Sequence, residues 1–232
     1  MQSKTAKTVI ILGCITVLYT LYRYQGSAEY FINHLRSAYI TEDVQAFSVY
    51  YQWISALLLL GIVPVFIVRL GFKERPKDYG LGFFSSRPIV QVFITMLGIA
   101  IVTPVTFFGA RNPDLASLYP LVQNAGSSWV NWLKSSGIYF LYYVGYEFAF
   151  RGFLLMGTKD DIGAWQAGAV SLAATVLLHV NRPQPETIMA VVAGMIFPFI
   201  VIKLKSLWPV ILIHAYAGIS LDYWIIMNRG GF

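Results

Sequence analysis

Long apolar stretches separated by short polar breaks recur along the whole 232-residue chain. About 20 apolar residues cross the hydrocarbon core of a bilayer as a helix, and a lipid-exposed backbone satisfies its hydrogen bonds only in helices or closed barrels. The pattern therefore predicts an all-α, polytopic transmembrane helix bundle of about seven spans. The predicted spans cover residues 8–22, 46–70, 89–108, 130–156, 163–180, 187–204 and 207–227.

Polar and proline-containing segments separate these predicted spans. A polar loop is expected over residues 23–45 and a strongly basic loop over residues 71–88. Lys159-Asp160-Asp161 predicts a tight turn, and the two prolines in residues 181–185 end the fifth span, because proline cannot continue a helix.

The composition supports a membrane protein and gives it a predicted orientation. Hydrophobic residues make up 57% of the chain and charged residues 12%, whereas a soluble domain has about 25% charged residues. The net charge of +6 does not indicate nucleic-acid binding, because no basic run interleaved with aromatic residues is present. With the N-terminus inside, ten Lys and Arg residues fall on the inner side and five outside, as the positive-inside rule expects. We expect an integral, multi-pass protein of a bacterial cytoplasmic membrane. The inner ten are Lys4, Lys7, Arg69, Lys73, Arg75, Lys77, Arg87, Lys159, Lys203 and Lys205, and the outer five are Arg23, Arg36, Arg111, Arg182 and Arg229.

The first span has two interpretations. Lys4 and Lys7 before a short apolar run are typical of a signal peptide, with a candidate cleavage site at residues 26–28. The tyrosines within residues 19–24 suit a membrane interface, which favours a retained anchor. The single cysteine, Cys14, excludes an intrachain disulfide and a thiol-based metal site.

The ionisable residues within or at the ends of the later spans include Glu147, Arg151, His179 and His214, as well as Asp222, which we expect at the outer interface. An ionisable group at mid-bilayer costs at least about 2.5 kcal/mol, so each needs a structural or functional reason. Glu147 and Arg151 are four residues apart and share one helix face, as an ion pair would. Each histidine alone also suits a helix end or a buried core position. A carboxylate with two imidazoles can activate water, or the same three groups can hold a divalent metal such as zinc.

Three short motifs carry a resemblance to a known family. YEFAFRGFLL at Tyr146–Leu155 resembles the Glu-Glu-x-x-x-Arg motif of the CPBP intramembrane proteases, also called the CAAX-protease and bacteriocin-processing or Abi family. TVLLH, ending at His179, is similar to the family's Phe-x-x-x-His motif, and HAYAG, beginning at His214, to its third motif. DYGLGF at residues 78–83 is also similar. The resemblance covers residues 77–232, which implies a catalytic helical core there, preceded by N-terminal transmembrane helices and a basic loop in residues 1–76.

Three positions depart from the family motifs. Tyr146 stands where the family has the first Glu, which is usually assigned to water activation, and Gly218 replaces an Asn that helps to hold the oxyanion. Thr175 replaces the Phe of the second motif. A phenol is a poor base at neutral pH, because its pKa is about 10, but it can donate a hydrogen bond to an oxyanion.

The resemblance implies an intramembrane endopeptidase that cleaves membrane-associated peptide or protein substrates with activated water. Glu147 would then be the base, Arg151 would pair with it, and His179 and His214 would orient water or bind a metal. Tyr146 could donate to the oxyanion. Two other function classes stay open: an inactive, immunity-type protein that binds a peptide or partner helix, and a proton-coupled transporter. The lack of evident inverted repeats argues against the transporter.

Helix geometry raises one difficulty for a shared site. At about 1.5 Å per residue, straight helices would place Glu147 about 15 Å, His214 about 10 Å and His179 about 24 Å from the cytoplasmic ends of their spans. Tilted or shorter helices are needed to bring the three side chains to one level.

Overall fold

The computed structural model describes residues 4–36, 43–83, 85 and 87–232, and over these residues it is a helical bundle without β-strands. This confirms the predicted all-α fold. Residues 37–42 of the predicted polar loop lie outside the described part of the chain. The main helices are α1 (Lys4–Gln25), α2 (Val44–Gly71), α3 (Pro88–Gly109), α4 (Trp129–Glu147), α5 (Ala164–Leu177), α6 (Gln184–Leu204) and α7 (Trp208–Asn228). Shorter helical elements are Ala28–Tyr30, Phe31–Leu35, Pro76–Tyr79, Pro113–Leu118 and Gln123–Ser127.

Among the described residues, five helices are long and apolar enough to cross a membrane: α1, α2, α3, α6 and α7. The predicted spans over residues 130–156 and 163–180 are also helical, but their helices are not both long and apolar enough to be counted as membrane-spanning. α5 has 14 residues, which corresponds to about 21 Å at 1.5 Å per residue. α4 carries polar and charged side chains, and several of them are buried inside the bundle. The predicted number of seven spans is therefore not confirmed.

Two of the predicted breaks differ from the structure. Part of the expected polar loop over residues 23–45 is helical, because α1 extends to Gln25 and helical turns cover residues 28–35. The predicted turn at Lys159-Asp160-Asp161 is wrong, since these residues belong to the helix Gly157–Ile162. The chain turns at Gly163 instead, where φ is 94°, a conformation that glycine adopts without steric cost.

The helical rod that carries the first motif does not end with α4. It continues as a π-helix over Phe148–Met156 and then as the α-helix Gly157–Ile162. All nine residues of the π-helix are buried, and seven of them belong to the main apolar core together with Ile11 of α1 and Leu60 of α2. π-Helical segments are uncommon and are often found at functional sites.

α2 and α4 cross closely at two glycines. The position of a Cβ on Gly61 would lie 3.1 Å from the Gly145 Cα, and a Cβ on Gly145 would lie 2.8 Å from the Leu57 Cα and 2.9 Å from the Ala56 carbonyl oxygen. Only residues without side chains allow this approach of the two backbones. The crossing directly precedes Glu147 and so holds the first motif against α2.

Contacts at the chain ends place them at opposite ends of the bundle. The Thr5 hydroxyl donates to an Asp161 carboxylate oxygen at 3.2 Å, which brings the start of α1 to the far end of the α4 rod. The Phe232 N–H donates to the Gly126 carbonyl oxygen at 2.8 Å, just before α4 begins. The described chain therefore traverses the bundle an odd number of times.

Candidate active site

The centre of the site is a hydrogen bond between Glu147, the last residue of α4, and His214 in α7. His214 Nδ1 lies 2.6 Å from Glu147 Oε1, and the imidazole donates because an ionised carboxylate can only accept. The Glu147 side chain is fully buried, whereas that of His214 is 24% exposed. The contact shows that these two sequence-predicted residues reach the same level, although they lie 67 positions apart.

Arg151 lies one helical turn after Glu147, on the π-helical part of the rod. Its Nε is 3.5 Å from Glu147 Oε2, and its Nη2 donates to the Thr175 hydroxyl at 3.4 Å. Arg151 is buried, and its contact with Thr175 ties the α4 rod to α5. The Thr175 hydroxyl gives the guanidinium a partner that the Phe of the family motif could not supply. The sequence showed Thr175 only as a departure from that motif.

His179 does not join the central pair. It follows the end of α5, where its Nδ1 donates to the Thr175 carbonyl oxygen at 2.7 Å and its Nε2 lies 3.9 Å from a Glu186 carboxylate oxygen. Within the described residues, no hydrogen bond links His179 to Glu147 or His214, although all three interact electrostatically. Glu186 was not identified from the sequence, because it lies at the polar start of α6 and belongs to no motif.

The expected metal-ligand set does not converge on one point. His214 Nδ1 is bonded to Glu147, and His179 is directed towards the Thr175 backbone and Glu186. Across the part of the chain that the structure describes, no group of three or more His, Cys, Asp or Glu side chains is arranged to hold a metal ion. The donor geometry therefore does not fit the divalent metal considered for Glu147, His179 and His214, and we assign no chemical step to one.

A cavity of about 1200 Å³ opens beside the central pair. Glu147 is not part of its wall but lies behind the His214 ring. Apolar side chains of α3 and α6, including Ile101 and Val192, form much of the remaining wall. Polar groups thus meet an apolar chamber large enough for a peptide segment. The four sequence-predicted residues in the wall are Tyr146, Arg151, His179 and His214.

Two tyrosines of α4 flank His214 at the cavity wall. The Tyr146 ring centroid lies 5.6 Å from that of His214, and the Tyr143 ring centroid lies 4.5 Å from it. The buried Tyr146 hydroxyl lies beside the Arg151 guanidinium and has no hydrogen bond of normal geometry to any described residue. Tyr143 was missed in the sequence. Its position four residues before Glu147, on the same helix face, was the available signal.

The comparison with protein families places this site in a known context. Residues 127–219 match the family model described as Type II CAAX prenyl endopeptidase Rce1-like. This segment is therefore similar to that family. No curated protein and no solved structure gives a significant match to the chain.

The matched segment contains Glu147, Arg151, His179 and His214, and it ends one residue after Gly218. The match agrees with the CPBP resemblance of the three motifs. It supports a membrane endopeptidase in general, and with the five apolar helices it indicates an integral membrane protein.

Proposed function

We propose that this protein is an intramembrane endopeptidase that cleaves membrane-associated peptide or protein substrates by attack of an activated water molecule. The observation that carries the proposal is the 2.6 Å hydrogen bond from His214 to the buried Glu147, at the wall of a largely apolar cavity. The match of residues 127–219 to Rce1-like endopeptidases supports the same reaction class.

In this proposal His214 is the general base and Glu147 is a positioning residue. Because Glu147 accepts the Nδ1 hydrogen, the neutral form of His214 carries its lone pair on Nε2, and this nitrogen can take a proton from water. The sequence had suggested Glu147 as the base. Its full burial behind His214 favours the positioning role, because a water molecule in the cavity meets the imidazole first.

The reaction then balances with one water molecule. The water oxygen attacks the scissile carbonyl carbon while its proton passes to His214 Nε2, and a tetrahedral oxyanion forms. The imidazolium, stabilised by the Glu147 carboxylate, returns the proton to the departing amide nitrogen as the C–N bond breaks. Arg151, whose Nε lies 3.5 Å from Glu147 Oε2, neutralises the Glu147 charge and so holds the carboxylate in place.

A second candidate function is a non-catalytic protein that binds a peptide or a partner helix in the same cavity. The observation that favours it is Tyr146, which occupies the position of the family's first Glu and cannot act as a base at neutral pH. In our proposal His214 and Glu147 supply the base function without Tyr146.

The test is cleavage of a library of membrane-tethered peptides by the purified protein in liposomes, read by mass spectrometry. We expect the wild type to cut a subset of peptides, and we expect Glu147→Ala and His214→Ala to cut none of them. Cleavage that survives both substitutions would rule out this site. Failure of the wild type to cut any member favours the non-catalytic function. A chelator in parallel tests the metal, and we expect cleavage to continue in its presence.

A further inference from the structure

The space beside Gly218 is occupied by a side chain from another helix. Gly218 lies one turn after His214 in α7, at the position of the family's motif Asn. A Cβ at this position would overlap the Tyr143 hydroxyl and would lie 3.0 Å from the Tyr143 Cζ and the Tyr139 Cε1. No side chain of any kind fits at residue 218 while Tyr143 keeps its present position.

Tyr143 is held firmly in that position. It is 5% exposed, and its ring packs against Tyr139 with a centroid distance of 4.7 Å. Tyr139 in turn stacks on Trp53 of α2 at 4.3 Å. The Tyr139 hydroxyl lies near that of Tyr143, and a phenol that accepts from a neighbour can still donate its own hydrogen.

We propose that Tyr143 is a catalytic residue whose hydroxyl donates a hydrogen bond to the carbonyl oxygen of the scissile bond. This inference rests on the proposed endopeptidase function. The phenol on α4 would replace the missing amide on α7, because its hydroxyl occupies the space into which a side chain at Gly218 would project. It also lines the cavity beside His214, where the tetrahedral oxyanion forms.

The chemistry requires a neutral donor, and a phenol meets this requirement. Its pKa in water is about 10, so it keeps its proton at neutral pH while the carbonyl oxygen gains negative charge. The hydrogen bond therefore strengthens as the reaction proceeds and stabilises the transition state more than the bound substrate. No proton leaves Tyr143, so the proton balance at His214 is unchanged.

Two features favour Tyr143 over Tyr146 for this role. The Tyr143 ring is closer to His214, at 4.5 Å against 5.6 Å between centroids. The Tyr146 hydroxyl lies beside Arg151, on the side of the α4 rod that faces the ion pair. Of these two tyrosines, Tyr143 is the one whose hydroxyl occupies the space above Gly218.

The first test removes the hydroxyl with Tyr143→Phe and measures kcat and KM on a peptide that the wild type cleaves in liposomes. We expect kcat to fall by on the order of 10²–10³-fold with KM changed by less than about threefold, as when one oxyanion donor is lost. Tyr50→Phe is the matched control, since Tyr50 is a buried tyrosine of the same apolar cluster that does not line the cavity. We expect it to keep wild-type kinetics.

The second test exchanges the donors between the two helices. Gly218→Asn alone should abolish activity, because the new side chain collides with Tyr143. Tyr143→Ala opens that space. The kcat of Tyr143→Ala/Gly218→Asn should therefore be at least tenfold higher than that of Tyr143→Ala alone. A merely structural role of Tyr143 predicts no such recovery.

The outcomes separate this inference from the function on which it rests. Wild-type kcat in Tyr143→Phe, together with loss of cleavage in Glu147→Gln, would overturn the role of Tyr143 and leave the endopeptidase intact. The role of Tyr143 would also be contradicted if the double variant had the gel-filtration profile and melting temperature of the wild type but no higher kcat than Tyr143→Ala. No cleavage by the wild type under any condition would overturn both proposals.

Discussion

The Glu147 carboxylate is fully buried, so its charge depends on partners from within the bundle. The Arg151 Nε lies 3.5 Å from Glu147 Oε2 on the same helical rod, and His214 Nδ1 of α7 lies 2.6 Å from Glu147 Oε1. A buried charge that loses its partner typically costs several kcal/mol, whereas removal of both partners can be nearly neutral. The ion pair between Glu147 and Arg151 is therefore required for the stability of the fold as well as for the proposed chemistry.

Arg151→Met tests this dependence. We expect it to lower the free energy of unfolding by about 3–5 kcal/mol, because Glu147 loses its guanidinium partner. Glu147→Gln/Arg151→Met should recover part of that loss, since no uncompensated charge is left. Denaturation in detergent micelles measures both variants. Equal stability of Arg151→Met and the wild type would contradict the ion-pair account.

His179 and His214 should differ in their effect on cleavage. His214→Gln removes the proposed base, so we expect kcat to fall by about 10²–10⁴-fold. His179→Gln should lower it by less than tenfold, because His179 contacts Thr175 and Glu186 rather than the central pair. Steady-state cleavage assays on both variants show which of the two substitutions lowers kcat more. A larger loss in His179→Gln would reverse the assignment.

At the residue scale, helical spacing predicted the contact within one helix, whereas a site shared between helices was expected only from the grouping of ionisable residues and from the family resemblance. Glu147 and Arg151 face each other because helical periodicity places residues four apart on one side. The contact between Glu147 and His214 depends on the relative depth and tilt of α4 and α7, which no local pattern specifies. Tyr143 was missed for the same reason, since its importance depends on the absence of a side chain at Gly218 of another helix.

The crossing of α2 and α4 positions the first motif at the scale of elements. It depends on Gly145, whose position allows no Cβ, because the nearest atoms of Leu57 and Ala56 belong to the backbone. A backbone cannot move aside as the end of a side chain can. We therefore expect the two helices to separate when this glycine is replaced.

Gly145→Ala should lower the free energy of unfolding by about 1–3 kcal/mol through overpacking. Gly137→Ala on the same helix is the control, since nothing lies within 4 Å of its Cβ position. That control should be neutral or stabilising by up to about 1 kcal/mol, because alanine favours helix more than glycine does. Thermal denaturation compares the two. Equal melting temperatures would argue against the close crossing.

Helix locations followed from the apolar pattern, but some of their ends did not. The charged run at Lys159-Asp160-Asp161 was expected to form a turn, yet it continues the α4 rod to Ile162. Charged residues are compatible with a helix end that faces water, and the positive φ of Gly163 ends the helix instead. The π-helix over Phe148–Met156 has no sequence signature, because it differs from an α-helix only in hydrogen-bond register.

At the scale of the whole molecule, the apolar pattern predicted the helical bundle but not which helices are lipid-exposed along their length. The segment over residues 130–156 was predicted to be a span from its apolar residues, yet many of its side chains form the core of the bundle. In the most apolar 18-residue stretch of α3, only 11% of the residues are buried inside the bundle. This helix is therefore the most peripheral of the five candidate spans. A periodic pattern alone does not separate burial in protein from burial in lipid.

The predicted orientation can be tested with single cysteines. In a Cys14→Ser background, Arg229→Cys should react with a membrane-impermeant maleimide in intact cells, and Lys159→Cys should react only after the cells are lysed. The two positions lie near opposite ends of the α4 rod, and the positive-inside rule places residue 159 inside. Labelling of Lys159→Cys in intact cells would contradict the predicted orientation.

The central claim is that a buried carboxylate positions His214 to activate water at the cavity wall. The most direct measurement is the kcat and KM of Glu147→Gln, beside Tyr50→Phe, on a peptide that the wild type cleaves in liposomes. Glutamine has nearly the shape of glutamate but no negative charge to stabilise the His214 imidazolium. We therefore expect kcat to fall on the order of 10³-fold or more, with KM nearly unchanged. A kcat within threefold of the wild type in the folded variant would contradict the account.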